Sequence, residues 1–500
     1  MTELKKLANQ TLVYGSTTII GRLLNYLLVP FHTYIFLDPR EYGVVGEMYA
    51  YVALLMVVLT YGMETAFFRF SSMENNKLKV FSSSFWTLSI TTSLFLFLSL
   101  FLSQPIANLL QYPSHPEYIR WFAIIVSLDV ISSIPFARLR SENRPFRFAF
   151  IKIFNIVVSV FFNLFFLWFC PLMIKNGIGV SFFSYIYRPE IGIGYIFIAN
   201  LIASALQMLL LITSSKGLKF HIDFSLIKRM LKYALPLLIL GLAGIINETF
   251  DRILIKNLSS DNLNIAMHNV GVYSACFKIA VIMSLFIQAF RYSAEPFFFS
   301  KFKEKDAKES YAVVMTYFVI VCSFIFLATT LFLDYIKYFV SAPYHEGLRV
   351  VPIVLLAYMM LGIVFNLSIW YKLTGQTKYG AYISVGGAII TLVVNFNLIP
   401  IIGYMGAAWA HFITYLCMMV ASYWLGQKHY PINYNLKKIS FYIFLALFLF
   451  IISYFVIPFD KLTSHKLLIK TIVNGFILLI FIAIIYKKEF KNLRQITQSK

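Results

Sequence analysis

Hydrophobic residues in this chain run in long unbroken blocks and do not alternate with polar ones as in a half-buried strand. Blocks of roughly 20 residues with few or no charges lie at 11–36, 43–69, 81–103, 118–137, 149–170, 193–213, 233–251, 268–298, 311–333, 350–371, 379–398, 403–425, 441–458 and 467–486. Roughly 20 residues is the length an α-helix needs to cross about 30 Å of hydrocarbon at 1.5 Å per residue. There every backbone N–H and C=O needs an internal partner, and a continuously apolar segment supplies one only as a helix; porin-type strands would show a period of two. The pattern predicts an all-α integral membrane protein with about fourteen transmembrane helices. The first block lacks an A-x-A cleavage site and reads as a retained helix. Segment 171–192 is the longest connection in the first half, moderately apolar, and reads as an interfacial stretch. No connection is long enough for a soluble catalytic domain.

Composition agrees. Of 500 residues, 59% are hydrophobic and 13% charged, against about 25% charged in soluble domains. The net charge of +21 would suit a nucleic-acid binder, but the basic residues sit in the short connections, which excludes that class. Counted from the amino terminus, alternate connections (1–10, 69–80, 138–152, 214–232, 299–310, 372–378, 426–440 and 487–500) hold 29 Lys and Arg, and the others hold 10. Arg22, Arg120, Lys278 and Arg291 fall within blocks. Cytoplasmic connections carry the basic excess, so the asymmetry predicts cytoplasmic termini and an even number of spans. Connection 459–470, with three lysines, departs from the alternation. Cys170, Cys276, Cys322 and Cys417 are widely spaced, form no CxxC pair, and read as small buried hydrophobes.

The two halves share a pattern. The second block opens with Tyr42-Gly43-Val44-Val45-Gly46 and ends at Phe67-Phe68-Arg69-Phe70; the eighth opens with Val270-Gly271-Val272-Tyr273 and ends at Pro296-Phe297-Phe298-Phe299. Six spans separate them, so both units point the same way. This predicts two parallel-related six-helix lobes, 1–215 and 216–430, with two further helices and a tail in 431–500. In such repeat architectures a substrate is held between lobes near mid-membrane.

Ionisable groups inside spans are expensive and face a cavity or a partner. Arg22 and Lys278 lie near mid-span, on early helices of the two halves, with no opposite charge within a helical turn. Together with Arg291 and Arg69, they form a candidate cationic cleft. An arginine fork and a lysine point charge suit an anionic ligand such as phosphate or pyrophosphate. Asp129 is the one deep carboxylate the sequence reading finds; it stands as a coupling candidate or pairs with a basic neighbour or helix backbone. Glu64 lies toward the cytoplasmic end of the second span, and Glu248, Asp251 and Arg252 at the outer end of the seventh. Glu248–Arg252 and Arg291–Glu295 are spaced i,i+4, as in self-satisfied ion pairs. Arg69, Arg252 and Glu295 also read as residues that snorkel to an interface. His411, in the twelfth span, reads as a hydrogen-bonded packing residue beside the alternative of a proton carrier. The chain has no Walker A, HExxH or GxSxG motif and no metal-ligand cluster. It therefore reads as a transporter, not an enzyme, without a cofactor. Lacking a nucleotide site, it would use an H+ or Na+ gradient or facilitated movement.

Fourteen spans in two lobes, with Tyr14-Gly15 to Pro30-Phe31, Tyr42-Gly43-Val44-Val45-Gly46, Gly62-Met63-Glu64-Thr65-Ala66-Phe67-Phe68-Arg69-Phe70, Tyr233-Ala234-Leu235-Pro236, Asn247-Glu248-Thr249-Phe250-Asp251-Arg252, Gly271-Val272-Tyr273 and Gly403-Tyr404-Met405-Gly406-Ala407-Ala408, resemble the multidrug/oligosaccharidyl-lipid/polysaccharide (MOP) exporter superfamily. Within it the chain is most similar to the polysaccharide-biosynthesis branch, the Wzx-type O-antigen flippases. The resemblance implies a V-shaped two-lobe fold with alternating access. It implies movement of an undecaprenyl-pyrophosphate-linked oligosaccharide, an O-antigen or other surface-polysaccharide repeat unit, from inner to outer leaflet of a bacterial plasma (inner) membrane. Polysaccharide polymerase or assembly proteins would be its partners, in lipopolysaccharide or related synthesis.

Two other classes compete. A multidrug or metabolite cation antiporter of the same fold needs a carboxylate open to cations, and the basic balance opposes it. A membrane-embedded polymerase or transferase would show a large basic outer loop, whereas 171–192 is short and carries only Lys175 and Arg188.

Overall fold

The computed structural model describes the backbone of residues 2–302, 304–456 and 464–498, and side chains between 15 and 489 except 16, 18, 303 and 456–466. Tyr14, the basic segment 1–10, residues 459–466 of connection 459–470 and most of the tail 487–500 lie outside the described side chains. Helix α1 (Thr2–Ile35) comes first. Among the described residues, thirteen helices long and apolar enough to cross a membrane follow: α2 (Pro39–Met73), α3 (Lys77–Phe101), α4 (Pro116–Ser141), α5 (Pro145–Lys175), α6 (Gly194–Ile212), α7 (Phe224–Thr249), α8 (Leu263–Lys301), α9 (Ala307–Leu331), α10 (Ala342–Leu373), α11 (Lys378–Ile402), α12 (Tyr404–His429), α13 (Leu436–Phe455) and α14 (Leu467–Glu489). No strand occurs among the described residues. Every expected block lies on one of these helices, and most helices run further at one or both ends. The protein is a multi-pass membrane protein of all-α fold.

Local chemistry sets several helix ends. Asp38 caps α2: its carboxylate accepts the Arg40 N–H at 2.9 Å, and Pro39 follows at the first helical position, where its missing N–H loses nothing. The same helix breaks at Tyr61 and Gly62, both left-handed (φ 34° and 72°). A side chain at Gly62 would also meet the Ala234 carbonyl at 2.9 Å, so glycine serves both the break and the close approach of α7. In α5, one wide π turn covers Phe165–Phe169 just ahead of Pro171, which cannot donate to the preceding turn. Segment 171–192 continues α5 to Lys175 and then forms the short helix Val180–Ile186, with Phe182 and Tyr185 exposed.

The chain divides into two compact units. Unit 1 comprises Met1–Ser274 with Ala388–Ala407, and unit 2 comprises Ala275–Gly387 with Ala408–Lys500. In unit 1, α4 packs along α2, α3, α5 and α6, α1 lies on α5, and α7 on both halves of α2. Met63, Phe67, Phe81, Val126, Val130 and Met230 form its core. In unit 2, α9 packs along α10 and α13. Cys170, Cys276 and Cys322 are buried as expected, whereas Cys417 is exposed on α12.

Polar pins hold α13 and α14 in unit 2. Lys470 at the start of α14 pairs with Asp334 at 2.7 Å, both 3% exposed. Asn474 donates to the Leu331 carbonyl and accepts from Ser453, each at 2.6 Å. At the far end of α14, Glu489 accepts from Lys438 (2.6 Å) and Tyr442 (2.7 Å). Leu468, Ile472, Phe476 and Leu479 stand exposed on one stripe of α14, the face that meets hydrocarbon. Removing one partner of a buried ion pair strands the other charge, at about 3–5 kcal/mol, whereas replacing both by apolar groups is often neutral. Lys470→Met is therefore expected to lower the thermal unfolding midpoint of the purified protein by several degrees. Asp334→Leu combined with Lys470→Met is expected to recover most of it; a double variant as unstable as the single would refute the pairing argument.

Candidate functional site

The repeated glycine motifs meet. In unit 1, α2 and the start of α8 cross with almost no side chains between them. A Cβ on Gly271 would fall 1.8 Å from the Pro39 carbonyl oxygen, one on Gly43 2.4 Å from that of Met267, and one on Gly46 2.3 Å from Ser274 Oγ. Only small residues allow two membrane helices to approach this closely. Tyr42 and Tyr273 of the same motifs are buried here.

Beside this crossing lies a buried ion pair. Glu47 on α2 is fully buried, and Lys256, on the short helix Asp251–Leu258, reaches it at 3.0 Å. The same ammonium donates to the Leu110 carbonyl at 2.5 Å and sits 4.2 Å from the centroid of the Tyr112 ring. Hydroxyls of Tyr112 and Tyr51 donate to the Glu47 carboxylate. Burial alone pushes the Lys256 ammonium toward losing its proton, and Glu47 opposes this. Next to the pair, Asp251 accepts from Arg252 at 2.8 Å and from the Tyr273 hydroxyl.

These positions correct several expectations. Asp129 is not the one deep carboxylate, since Glu47, Asp251 and Asp334 are all buried. Lys256, counted in an outer connection, is 4% exposed within a helix. Lys152, counted in an inner connection, lies within α5 and faces Asp129, which also accepts a hydrogen bond from Ser204. Glu248 does not take the side chain of Arg252. It is exposed, and Arg252 donates instead to Asp251 and, at 3.4 Å, to the Glu248 carbonyl. Nor does Arg252 snorkel, being 7% exposed.

The remaining candidates are spread over both units. At the other end of α2, Glu64 pairs with Arg140, and exposed Arg69 lies 4.3 Å from the centroid of the Tyr233 ring. Near this end Lys79 holds the Asp223 carboxyl well down, at about 2, while Asp223 caps α7 by accepting from the Leu226 N–H at 3.0 Å. Arg22 is exposed on α1 and makes no ion pair among the described residues. In unit 2, Lys278 is half-buried on α8 and engaged with its surroundings. Thirteen residues, between three and four turns, further along α8, Arg291 pairs with Glu295 at 2.9 Å, as its spacing suggested, and Lys372 of α10 joins Glu295 at 2.6 Å. His411 is 4% exposed, with its ring 5.5 Å from that of Phe277 and 5.7 Å from that of Tyr415. No group of three or more His, Cys, Asp or Glu placed to hold a metal occurs among the described residues.

Sequence reasoning missed Glu47 because it placed the start of the second span at 43. The helix starts at Pro39, which sets Glu47 eight residues in, about 12 Å along the axis. The signal available was the helix start itself, Asp38-Pro39.

No curated protein matches the chain. Among solved structures, "Lipid II flippase MurJ, inward closed conformation" superposes with a TM-score of 0.69 at 14% identity, covering 96% of this chain and 100% of that one. An inward-facing multidrug resistance MATE family transporter of the MOP superfamily gives 0.64 at 13% identity, covering 84% and 95%. MATE in complex with MaD3S gives 0.59 at 12% identity, covering 87% and 96%. These likenesses show the fold. A family model described as "Polysaccharide biosynthesis protein" matches residues 7–302. The chain thus belongs to the polysaccharide biosynthesis protein family and has the fold of the MOP-superfamily transporters.

Proposed function

We propose that this protein is a flippase moving an undecaprenyl-pyrophosphate-linked oligosaccharide from the inner to the outer leaflet of a bacterial plasma membrane. The observation that carries the reading is Arg22: an arginine well inside α1, which the sequence reads as a span, exposed, with no acidic partner among the described residues. A bare arginine at that depth is costly in lipid and is accounted for by a hydrated path whose cargo carries negative charge. Lys278 adds a second cation at similar depth. The lipid tail stays in the bilayer while the sugar and pyrophosphate pass between lobes 1–215 and 216–430, with 431–500 appended to the second. Catalysis has no part in this reading.

Orientation rests on the basic connections. Setting aside Lys152, Arg252, Lys256 and Lys470, which the fold buries or packs within helices, the asymmetry is still 28 against 7. Both termini are thus proposed to be cytoplasmic. A cation antiporter is disfavoured by the carboxylates: Glu47, Asp251 and Asp334 each hold a basic partner within 3.0 Å, and Asp129 faces Lys152. None of these four is left open to a cationic drug; Glu248 is exposed at the end of α7. The proposed drive is an H+ or Na+ gradient, with Asp129 as the coupling group because Lys152 and Ser204 can hold either of its charge states.

Surface polymer in cells carrying variants tests this reading. Arg22→Ala and Lys278→Ala are each expected to cut export at least tenfold at unchanged membrane levels; full export by both would sink the cationic path. Arg22→Lys is expected to keep more export than Arg22→Ala, and equal loss would mean that the two-pronged guanidinium is required. Asp129→Asn is expected to weaken the dependence of export on the ion gradient, whereas an unchanged dependence would leave Asp129 a packing residue.

A further inference from the structure

We propose that the Glu47–Lys256 pair, with Tyr112 and the Gly43–Gly271 crossing, is a latch that closes the outer end of the transport path and breaks in each cycle. The proposal deepens the flippase reading and rests on its orientation. There, residues 37–43, 104–117 and 252–270 lie at the outer face. All groups of the latch belong to unit 1, and they tie α2, from the first proposed lobe, to the segment after α7 and to α8, from the second.

Three features suit a contact that opens as well as closes. First, the crossing is made by Gly43, Gly46 and Gly271 against backbone and Ser274. The Met267 and Val270 side chains also come within 4 Å of where a Cβ on Gly43 or Gly46 would stand, and the close backbone contact leaves little interdigitation to undo when the helices part. Second, its polar part is a net-neutral ion pair rather than an apolar plug. Buried, Glu47 has both carboxylate oxygens engaged, by Lys256 and Tyr112. If water enters, each charge is solvated and the attraction falls with the rise in dielectric. The closed and open arrangements are each self-consistent, and water entry decides between them. Third, Ser274 Oγ is buried in the crossing without a hydrogen-bond partner among the described residues. Opening gives it water, so the closed state holds a polar group that favours release.

Ser274 also supplies the probe. Ser274→Cys is nearly isosteric and puts a thiol in the crossing; Cys417→Ser removes the exposed native thiol. The measurement is the labelling rate by a membrane-impermeant maleimide in right-side-out vesicles, without substrate, so the outcome does not depend on what the protein carries. Slow labelling is expected in this parent, at least tenfold faster labelling with Glu47→Gln, and a return toward the parent rate with Glu47→Lys plus Lys256→Glu. Should Glu47→Gln fail to reach the membrane, Lys256→Gln breaks the pair from the other side and is expected to label as fast. A parent-like rate in Glu47→Gln, or in Lys256→Gln where that is the one that inserts, would overturn the latch. Label arriving only in inside-out vesicles would overturn its assignment to the outer end.

Discussion

A charge in hydrocarbon must find a partner or water, and this constraint organises the whole molecule. Among the described residues, carboxylates placed among the helices away from bulk water face a base: Glu47 with Lys256, Asp251 with Arg252, Asp129 with Lys152, Asp334 with Lys470 and Glu489 with Lys438. Breaking such a pair costs more than never having had it, so each fixes which helices stay neighbours. Lys470 pins α14, and Lys256 ties the segment after α7 to α2. With these acids matched, Arg22 on α1 is a positive charge that makes no ion pair among the described residues.

The spans were legible because hydropathy over roughly 20 residues is set by the membrane and not by neighbours. The glycine repeat was legible too, though not its consequence: Gly43 and Gly271 read as equivalent positions in two lobes, and in unit 1 they press against each other. Less visible was the fate of charges at helix ends. Lys152, Lys256 and Lys470 stand where hydropathy falls, so they read as loop residues, while the helices run past them and turn them toward acids. The Glu248–Arg252 spacing invited an ion pair, but the helix breaks between Thr249 and Asp251. Arg252 takes the carboxylate of Asp251 instead.

Breaks within helices were also hidden. Tyr61-Gly62 interrupts α2 in the middle of an apolar block, and the π turn at Phe165–Phe169 lies in a run of aromatics with no polar mark. Both depend on what packs beside them, and a single strand of sequence does not display that. Lys79–Asp223 and Arg140–Glu64 similarly join residues far apart in sequence.

The central claim is that the unmatched positive charge serves an anionic cargo. Its most direct test is reconstitution of the purified protein in sealed vesicles with a fluorescent undecaprenyl-pyrophosphate oligosaccharide and an uncharged-headgroup analogue. A quencher that cannot cross the bilayer reads how much of each lipid changes leaflet beyond protein-free vesicles. The account predicts protein-dependent movement of the pyrophosphate lipid, with the uncharged analogue left behind. Movement of both to the same extent, or of neither under an imposed ion gradient, would contradict it.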